Sequence, residues 1–583
     1  MNENPAGNIK TKPVRKALKP QQKGLNTITA DLPHGHDPLK GKWNDSLGRH
    51  CLWTNGNLGE LLHDIMTPST WSIFKTVLVD EIEKVSLEPW VGNICGRLYL
   101  NISLVSTMAA KFGLGRKHMA MLTEEVFGRI PGDLEVPLLP MSRLRLLQNF
   151  IPLAFKTQLR MVSYKKRFPR FISEAPQRFA SMQEKISSAL DKRALRQLWE
   201  TGVFPYLAEC SYMYQAVAKL DGGAWMGIRR KLKEELGEND TNIILTGGST
   251  GTDHLASLGP VVGLSRLARG ETDYETFARE FGHRGPRELE LSVPRPAEKQ
   301  GWNERLITGL QEIESDGIEL LERQHQARQE AWARVKQKYP HRVKRFQRLS
   351  GRWEEMERNR EAARSEWVRA FWLIRSFMLK AGELTGSGEN IFFHYLDEIL
   401  ALLEDYTSAE QYIRQRRRIY ESYQELPPYP ALILGPFDPY GWAGDPNRRS
   451  DLYDVTKYDQ YKAPPVQRSE ISGFSGSPGV VQGRVRVILD VEQQDRLQSG
   501  EILVATATNV GWTPIFPRAA AVVTDVGAPL SHAAIVAREL GIPAVVGCGN
   551  ATTLLKTGDL VRVSGGQGLV EILEPAGEGG EKI

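Results

Sequence analysis

The sequence contains little cysteine, and what it has is not arranged for cross-linking or metal binding. Four cysteines, Cys51, Cys95, Cys210 and Cys548, lie far apart among 583 residues and form no CxxC pair. Neither a disulfide framework nor a cysteine-built metal site is therefore indicated. We expect a protein of the reducing cytoplasm.

Long apolar runs are also absent. No run reaches the roughly 18 residues needed to span a bilayer, and the lysines near the N-terminus have no apolar segment behind them. A secreted or membrane-embedded protein is therefore not expected. Hydrophobic residues still make up 41% of the chain and charged residues 25%, which is typical of a globular protein with several domains.

The excess of positive charge is small and local. The formal net charge is +5, and residues 1–40 alone contain seven Lys/Arg against three Asp/Glu. The remainder is nearly neutral, so a nucleic-acid partner is not indicated. Because residues 1–40 are polar, contain proline and are poor in aromatics, we predict a flexible basic leader, with a docking arm as the alternative.

Residues 41–425 have a mostly helical pattern. Within residues 354–384, apolar side chains such as Trp367, Phe371 and Met378 recur at spacings of three and four, with arginines on the other side. This periodicity predicts a long amphipathic helix. We therefore expect residues 41–425 to form a mostly α-helical domain.

The pattern changes after residue 425. Residues 426–468 are rich in Pro, Gly and Asp, which predicts a linker with only short extended or turn elements, partly packed on a neighbouring domain. Residues 469–575 contain six strand-like segments separated by turns, and one clear helix from about 532 to 540. The predicted fold class is multidomain: a mostly α-helical domain followed by a small β/α domain, with a tail at 576–583.

A histidine stands at the start of that one helix. In TDVGAPLSHAAIVARELGIPAVVG, residues 524–547, Ser531 is a candidate N-cap and His532 falls in the first helical turn. A helix N-terminus favours anions, so it would help to hold a phosphoryl group on His532. Neutral imidazole is also a nucleophile. A purely structural cap has the same sequence pattern, so the pattern alone leaves both interpretations open.

The stretch 524–547 occurs together with GFSGSPGVVQGRVRV, GEILVA and GWTPIF upstream and GDLVRVSGGQGLVEIL downstream. In this order the segments resemble the swivelling phosphohistidine domain of the phosphoenolpyruvate (PEP)-utilising enzymes, over nearly all of residues 472–573. The resemblance implies that His532 carries the phosphoryl group. The chain has Gly527-Ala528 where the family has two glycines, a departure in the turn and not in the histidine.

The larger domain is similar to the antibiotic-binding middle domain of the rifampicin phosphotransferases, in residues 43–72, 281–296 and 359–375. The resemblance implies a substrate-binding domain in which the GHRG turn is functional. His283 would act as general base on an acceptor hydroxyl, and Arg284 would contact phosphoryl oxygens. A structural turn is the alternative.

Arg360 and Arg364 lie four residues apart, hence on one helix face. They resemble an Arg and a Lys of the rifampicin enzymes, which implies a role in stabilising the transferring phosphoryl group. A solvated arginine stripe is the alternative explanation of the same spacing.

Neither an ATP-grasp region nor a PEP-binding barrel is recognisable in the sequence. The resemblance therefore implies that ATP and Mg²⁺ are bound by a separate ATP-grasp subunit of the PEP/pyruvate-binding type, that no cofactor or metal is bound by this chain, and that the chain is inactive alone. The expected function is a phosphotransferase component that passes a phosphoryl group from His532 to a hydroxyl of a small organic acceptor. A condensing, ligase-like component and a non-catalytic binding module remain the alternatives.

Overall fold

The structure is a computed structural model. It describes residues 51–56, 62, 64–78, 89–113, 134–246, 248, 254–299, 317–406, 410–445, 448–449, 451–456, 469–529 and 531–576. The predicted leader at 1–40, residues 457–468 of the predicted linker and residues 577–583 of the predicted tail lie outside the described residues.

We call the described residues between 51 and 456 the helical region. Its helices are α1 Pro68–Leu78, α2 Ile102–Lys111, α3 Arg143–Ser187, α4 Lys192–Leu198, α5 Phe204–Leu236, α6 Glu238–Leu245, α7 Gly259–Ala268, α8 Tyr274–Phe281, α9 Gly317–Lys338, α10 Val343–Thr385, α11 Leu396–Leu402, α12 Glu410–Gln424 and α13 Pro439–Gly444. No helix of the described part is long and apolar enough to cross a membrane.

Helix α10 is the centre of the helical region and packs against α3 and α5. Trp367 and Phe371 on its apolar face are 1% and 0% exposed, and both contact the ring of Phe74 from α1. The predicted amphipathic helix is confirmed, and it is longer than residues 354–384. It ends at Gly386, whose left-handed backbone (φ 75°) closes the last turn.

A five-stranded sheet lies beside these helices. Its strands are β1 Leu52–Thr54, β2 Val91–Ile94, β3 Arg97–Asn101, β4 Leu432–Leu434 and β5 Leu452–Asp454, in the order β2-β3-β1-β4-β5.

The last two of these strands correct the predicted linker. Residues 432–434 pair antiparallel with β1 and parallel with β5, so residues 432–434 and 452–454 are strands of the sheet. Short extended elements were predicted and are present. The prediction that they belong to a connector was wrong, because Leu432–Leu434 is fully buried and Trp442 is part of a buried hydrophobic cluster.

We call residues 469–576 the C-terminal region. Its elements are β6 Glu470–Ser472, β7 Phe474–Ser477, β8 Val480–Val487, β9 Ile502–Ala505, β10 Ala521–Thr524, α14 His532–Leu540, β11 Ala544–Val546, α15 Ala551–Leu554, β12 Leu560–Ser564 and β13 Leu569–Glu574, with 3-10 turns at Val491–Arg496 and Val510–Arg518.

The strands of the C-terminal region form one sheet, in the order β6-β13-β12-β8-β9-β10-β11-β7, with β8, β9, β10 and β11 parallel to one another. The six predicted strands and the one clear helix are all present. Strands β6 and β7 were missed, because they are short and rich in serine and glycine. A mostly helical region followed by a small β/α region agrees with the predicted fold class.

The two regions share a hydrophobic core. Leu258 and Val262 at α7 join Trp512, Phe516 and Ile535 of the C-terminal region in one buried cluster. Helix α14 also lies against α9, so closely that a Cβ on Gly541 would clash with the side chain of Gln324. The C-terminal region is therefore docked on the helical region, with α14 at the junction.

Candidate active site

Helix α14 begins as the sequence predicted. Ser531 is its N-cap, and the Ser531 Oγ accepts a hydrogen bond from the Ala534 backbone N–H at 3.3 Å. Gly527 upstream has a φ of 146°, and a Cβ there would lie 3.2 Å from the Ser531 Oγ. Glycine is therefore needed at 527. Ala528 is buried at the position where the family has its second glycine.

The side chain of His532 is held on both ring nitrogens. Its Nδ1 lies 3.2 Å from Thr508 Oγ1 and its Nε2 lies 3.1 Å from Thr513 Oγ1, while the ring of Phe516 contacts it edge-on. A hydroxyl can donate or accept, so the two threonines can satisfy either tautomer of the neutral ring. His532 is only 3% exposed, which fixes its orientation at the junction.

The environment keeps this imidazole uncharged. Burial, followed by the positive charges of Arg364 and Arg284, holds the pKa of His532 well below its ordinary value. At neutral pH one ring nitrogen therefore keeps a free electron pair. A buried, neutral histidine at a helix N-terminus is able to attack phosphorus and to hold the product beside the positive end of the helix.

Two arginines of the helical region share one glutamate opposite His532. Arg284 donates from Nε to Glu288 Oε2 at 2.9 Å and from Nη2 to Glu288 Oε1 at 3.4 Å, and Arg364 Nη2 lies 3.7 Å from the same Oε1. The Nη1 of Arg284 has no hydrogen-bond partner among the described residues. A buried donor without a partner is suited to a phosphoryl oxygen.

The predicted pair Arg360 and Arg364 is only partly exposed to solvent. Arg364 is 8% exposed, so the alternative of a solvated stripe is wrong for this residue. The side chain of Arg360 is 24% exposed, donates to Glu361 at 3.1 Å and lies over the ring of Trp225. The predicted pair thus shares a helix face, but Arg364 is the member whose charge reaches His532.

His283 is buried in the turn after α8. Its Nε2 lies 2.8 Å from Ser365 Oγ, and its Nδ1 has no hydrogen-bond partner among the described residues. Burial and the charges of three nearby arginines, first Arg369 and then Arg284 and Arg295, hold the pKa of His283 well below its ordinary value. His283 is therefore neutral, and burial and the nearby cations disfavour its protonated form. Its contribution to catalysis stays a prediction.

A cavity of about 290 Å³ opens at the junction of the two regions. Its wall includes Pro260, Arg284 and Pro286 from the helical region and Val491, Val510 and Pro514 from the C-terminal region. Arg284 lines the cavity and Pro514 follows Thr513, which contacts His532, but His532 itself is not part of the cavity wall. Among the described residues, no group of three or more His, Cys, Asp or Glu side chains is placed to hold a metal ion.

Three residues of this site were missed from the sequence. Thr508 and Thr513 lie 24 and 19 residues before His532, and only Thr513 falls in a segment already noted, GWTPIF. Glu288 follows Arg284 by four residues, a spacing that predicts an ion pair when both residues are in a helix. Both residues lie in a turn, so the spacing did not predict their ion pair.

Comparison with known proteins finds similar sequences for the C-terminal region and for part of the helical region. Residues 497–568 match the family model described as PEP-utilising enzyme, mobile domain. The prodigiosin synthesizing transferase PigC of Serratia marcescens is 32% identical over 327 residues, which cover 52% of this chain and 33% of that protein.

Two further relatives are similar over shorter segments. A rifampicin phosphotransferase of Bacillus cereus is 32% identical over 220 residues, covering 37% of this chain and 23% of that protein. A probable phosphoenolpyruvate synthase of Pyrococcus abyssi is 52% identical over 107 residues, covering 18% and 13%. The chain spans a third or less of the length of these three relatives.

The fold and the site define a protein in which a histidine-bearing β/α region of the mobile-domain type is docked on a helical region. The chain is similar to the PEP-utilising enzymes over this mobile-domain segment and over the matched parts of the relatives named above.

Proposed function

We propose that this chain is a phosphotransferase component in which His532 carries a phosphoryl group to a hydroxyl of a small organic acceptor. The observation that carries the proposal is the neutral His532 at the N-terminus of α14, with a threonine hydroxyl at each ring nitrogen and Arg284 and Arg364 close enough to lower its pKa. This arrangement favours a phosphorylated imidazole over a structural cap.

Phosphorylation of His532, which we call loading, is a substitution at phosphorus. The free electron pair of one His532 nitrogen forms the P–N bond as the P–O bond of the donor breaks, and the electron pair of that bond leaves with the donor oxygen. The other ring nitrogen keeps its proton and donates a hydrogen bond to the hydroxyl of its neighbouring threonine. Ser531 accepts from Ala534 at the cap, which leaves its hydroxyl hydrogen available to a phosphoryl oxygen.

Transfer reverses this bonding. The acceptor oxygen attacks phosphorus, the P–N bond breaks, and its electron pair returns to the His532 ring. The hydroxyl proton passes to His283, whose Nδ1 is a free base in the structure as described. Arg284, through Nη1, and Arg364 stabilise the phosphoryl oxygens, with Arg360 as a further cation on the same helix face.

The acceptor is proposed to bind in the cavity at the junction. At about 290 Å³ it lies near the lower end of ligand pockets, which are roughly 300–1,000 Å³. Its proline and valine walls suit an apolar body, and Arg284 lies where a transferred group would arrive. A small acceptor fits this space better than a large macrocycle.

The donor is proposed to be ATP with Mg²⁺, both held by a separate ATP-grasp partner, in agreement with the resemblance. The matched segments make up 33%, 23% and 13% of the three relatives, so most of the length of those proteins lies outside the match. This chain contributes the histidine, the threonines and the arginines, and phosphorylation of His532 awaits the partner.

A condensing reaction is the second candidate. The relative that matches 52% of this chain is named a prodigiosin synthesizing transferase, which favours a reaction that joins two molecules. In that case the phosphoryl intermediate would be consumed and released as free phosphate. Product analysis separates the two, since a phosphotransferase leaves the phosphate on the acceptor.

The carrier role is tested without any partner. Phosphoramidate is a small donor that phosphorylates histidine directly, so the purified chain should gain one base-stable, acid-labile phosphate at His532. His532→Ala should lose it completely, while His341→Ala, which removes an exposed histidine outside the site, should keep it. The same label in His532→Ala would refute the assignment, and failure of both proteins to label would favour a non-catalytic module.

A further inference from the structure

The far end of α14 buries charge against the helical region. Glu539 in its last turn is 3% exposed, and Glu357 of α10 is 7% exposed. Both line one small cavity of about 20 Å³, which Glu354 and Arg358 of α10 also line. Two buried carboxyl groups from two different regions are thus brought together only when the C-terminal region is docked.

The charged groups around this pair come from several elements. On α10 itself, Trp353 Nε1 donates to Glu357 Oε2 at 3.1 Å, and Arg360 and Glu361 lie within electrostatic range of Glu357. On α14, Arg538 is the cation nearest in sequence to Glu539. The pKa of Arg538 is lowered to about 10 by burial and then by Arg229 of α5. It stays protonated near neutral pH.

The balance of these effects favours a proton on the pair. Burial, followed by the charge of Glu539, raises the pKa of Glu357 to about 7, although Arg360 and Arg538 act in the opposite direction. Glu354 differs from Glu357, because it pairs with Arg328 and accepts from Ser350 at 3.0 Å. His254, which precedes α7, also lines this cavity. Glu357 and Glu539 are the carboxyl pair that links protonation to docking, and His532 is a second group whose proton affinity changes with docking, in the opposite direction.

We propose that docking of the C-terminal region is a proton-linked switch, in which Glu357 and Glu539 lie together in the docked position only while one of them carries a proton. The inference rests on the proposed function in one respect, namely that the C-terminal region leaves the helical region to be loaded. The family description of a mobile domain supports that movement.

The direction of the pH effect follows from linkage. In the undocked state Glu357 faces water and has its ordinary pKa of 4.5, whereas in the docked state its pKa is about 7. The docked state therefore binds more protons between these values. Taken alone, the carboxyl pair weakens docking by up to tenfold for each pH unit from about pH 4.5 to about pH 7. Above that pH the effect levels off. His532 is neutral when docked and would regain its ordinary pKa of 6.5 when undocked, so it opposes the pair below about pH 6.5.

The consequence for the reaction is a bias between two positions. A pH that falls to about 6.5 favours the position in which His532 meets Arg284 and Arg364. A rising pH favours release, and so favours loading at the donor. The switch lies at the opposite end of α14 from His532, so it acts on the position of the whole region and not on the imidazole.

The experiment measures docking in the full chain by energy transfer between two dyes. Leu190 and Val480 are 90% and 68% exposed, one in each region, and are replaced by cysteine for labelling, with Cys548→Ser to remove the half-buried thiol. The docking constant is read from about pH 5.5 to about pH 8.5. Because His532 opposes the pair below about pH 6.5, we expect it to fall about threefold over this range in the unsubstituted protein and about 30-fold in His532→Gln.

Three variants make the result specific. Glu357→Gln removes the carboxyl group whose pKa is raised, so docking should no longer weaken as the pH rises. Glu539→Gln removes only the second, smaller cause and should make the slope shallower. Glu354→Gln, on the same helix and cavity, should keep the slope of the unsubstituted chain. Circular dichroism checks that each variant is folded.

Two outcomes would overturn the switch: a docking constant that does not change with pH in His532→Gln, or a weakening of docking at rising pH that persists in Glu357→Gln. Labelling of His532 by phosphoramidate is measured on the same samples. Intact labelling with pH-independent docking would reject the switch and keep the carrier role, whereas lost labelling would reject the carrier role itself.

Discussion

His532 in the C-terminal region and His283 in the helical region are both buried histidines whose pKa is lowered by burial and by arginines. Their surroundings differ in kind. His532 has a hydroxyl on each nitrogen and lies at a helix N-terminus, whereas His283 is held on one nitrogen by Ser365 and lies in a turn crowded by cations. The first environment suits a phosphoryl group that is carried, whereas the second holds a neutral imidazole whose protonation is opposed by the surrounding cations.

Arg284, whose charge reaches both histidines, and Arg364, whose charge reaches His532, share the carboxylate of Glu288. Loss of this carboxylate gives the largest expected effect. Glu288→Gln keeps the shape but leaves Arg284 and Arg364 buried without their shared counter-charge. We expect a loss of about 3–5 kcal/mol in the free energy of unfolding, measured by urea titration. Glu354→Gln, which removes a less buried glutamate, should cost less than half of that. Equal losses in the two variants would show that the cluster is not held by Glu288.

A second test compares the two histidines through the pH dependence of stability. Each is neutral in the folded chain but protonates below its ordinary pKa of 6.5 when unfolded, so the unfolded state binds more protons. Stability should therefore fall as pH drops below about 6.5, by up to about 1.4 kcal/mol per pH unit for each histidine.

The variants for this test are His532→Gln and His283→Gln, which should each reduce the slope by up to one proton. Unfolding by urea at several pH values between about 5 and 7 measures it. A slope unchanged in one variant would mean that this histidine is protonated in the folded protein. The two histidines would then differ in protonation state.

The smallest expected effect separates the two nitrogens of His532. Thr508→Val and Thr513→Val each remove one hydroxyl, at a cost of about 1 kcal/mol. Labelling by phosphoramidate should slow by about tenfold when the hydroxyl on the non-reacting nitrogen is lost, because that hydroxyl holds the reactive tautomer. The other variant should label at nearly the original rate. Equal rates in both would show that neither threonine selects the tautomer.

Local features were predictable from the sequence. The cap at Ser531, helix α14 and six strands of the C-terminal region follow from residue types next to one another, and each is present in the structure. The long amphipathic helix was likewise visible in its spacing. Such features depend on neighbours within a few residues, and one sequence contains that information.

Features that depend on distant residues could not be predicted. Strand β4 was assigned to a linker because its partner β1 is about 380 residues away. Arg364 was open to interpretation as a solvated residue because Glu288, which allows its burial, belongs to another segment. The roles proposed for His283, Arg284, Arg360 and Arg364 rest on the resemblance and on their positions in the structure, and the experiments above test them.

The hydrophobic core shared by the two regions has a practical and a biological consequence. A C-terminal region produced alone would present Trp512, Ile515 and Phe516 to water, a patch that promotes aggregation. If the region leaves the helical region during a catalytic cycle, as proposed, the same patch would have to be covered in its other position. The proposed donor partner would then need an apolar surface that replaces α7 and α9, so its shape and hydrophobicity would matter as well as its nucleotide.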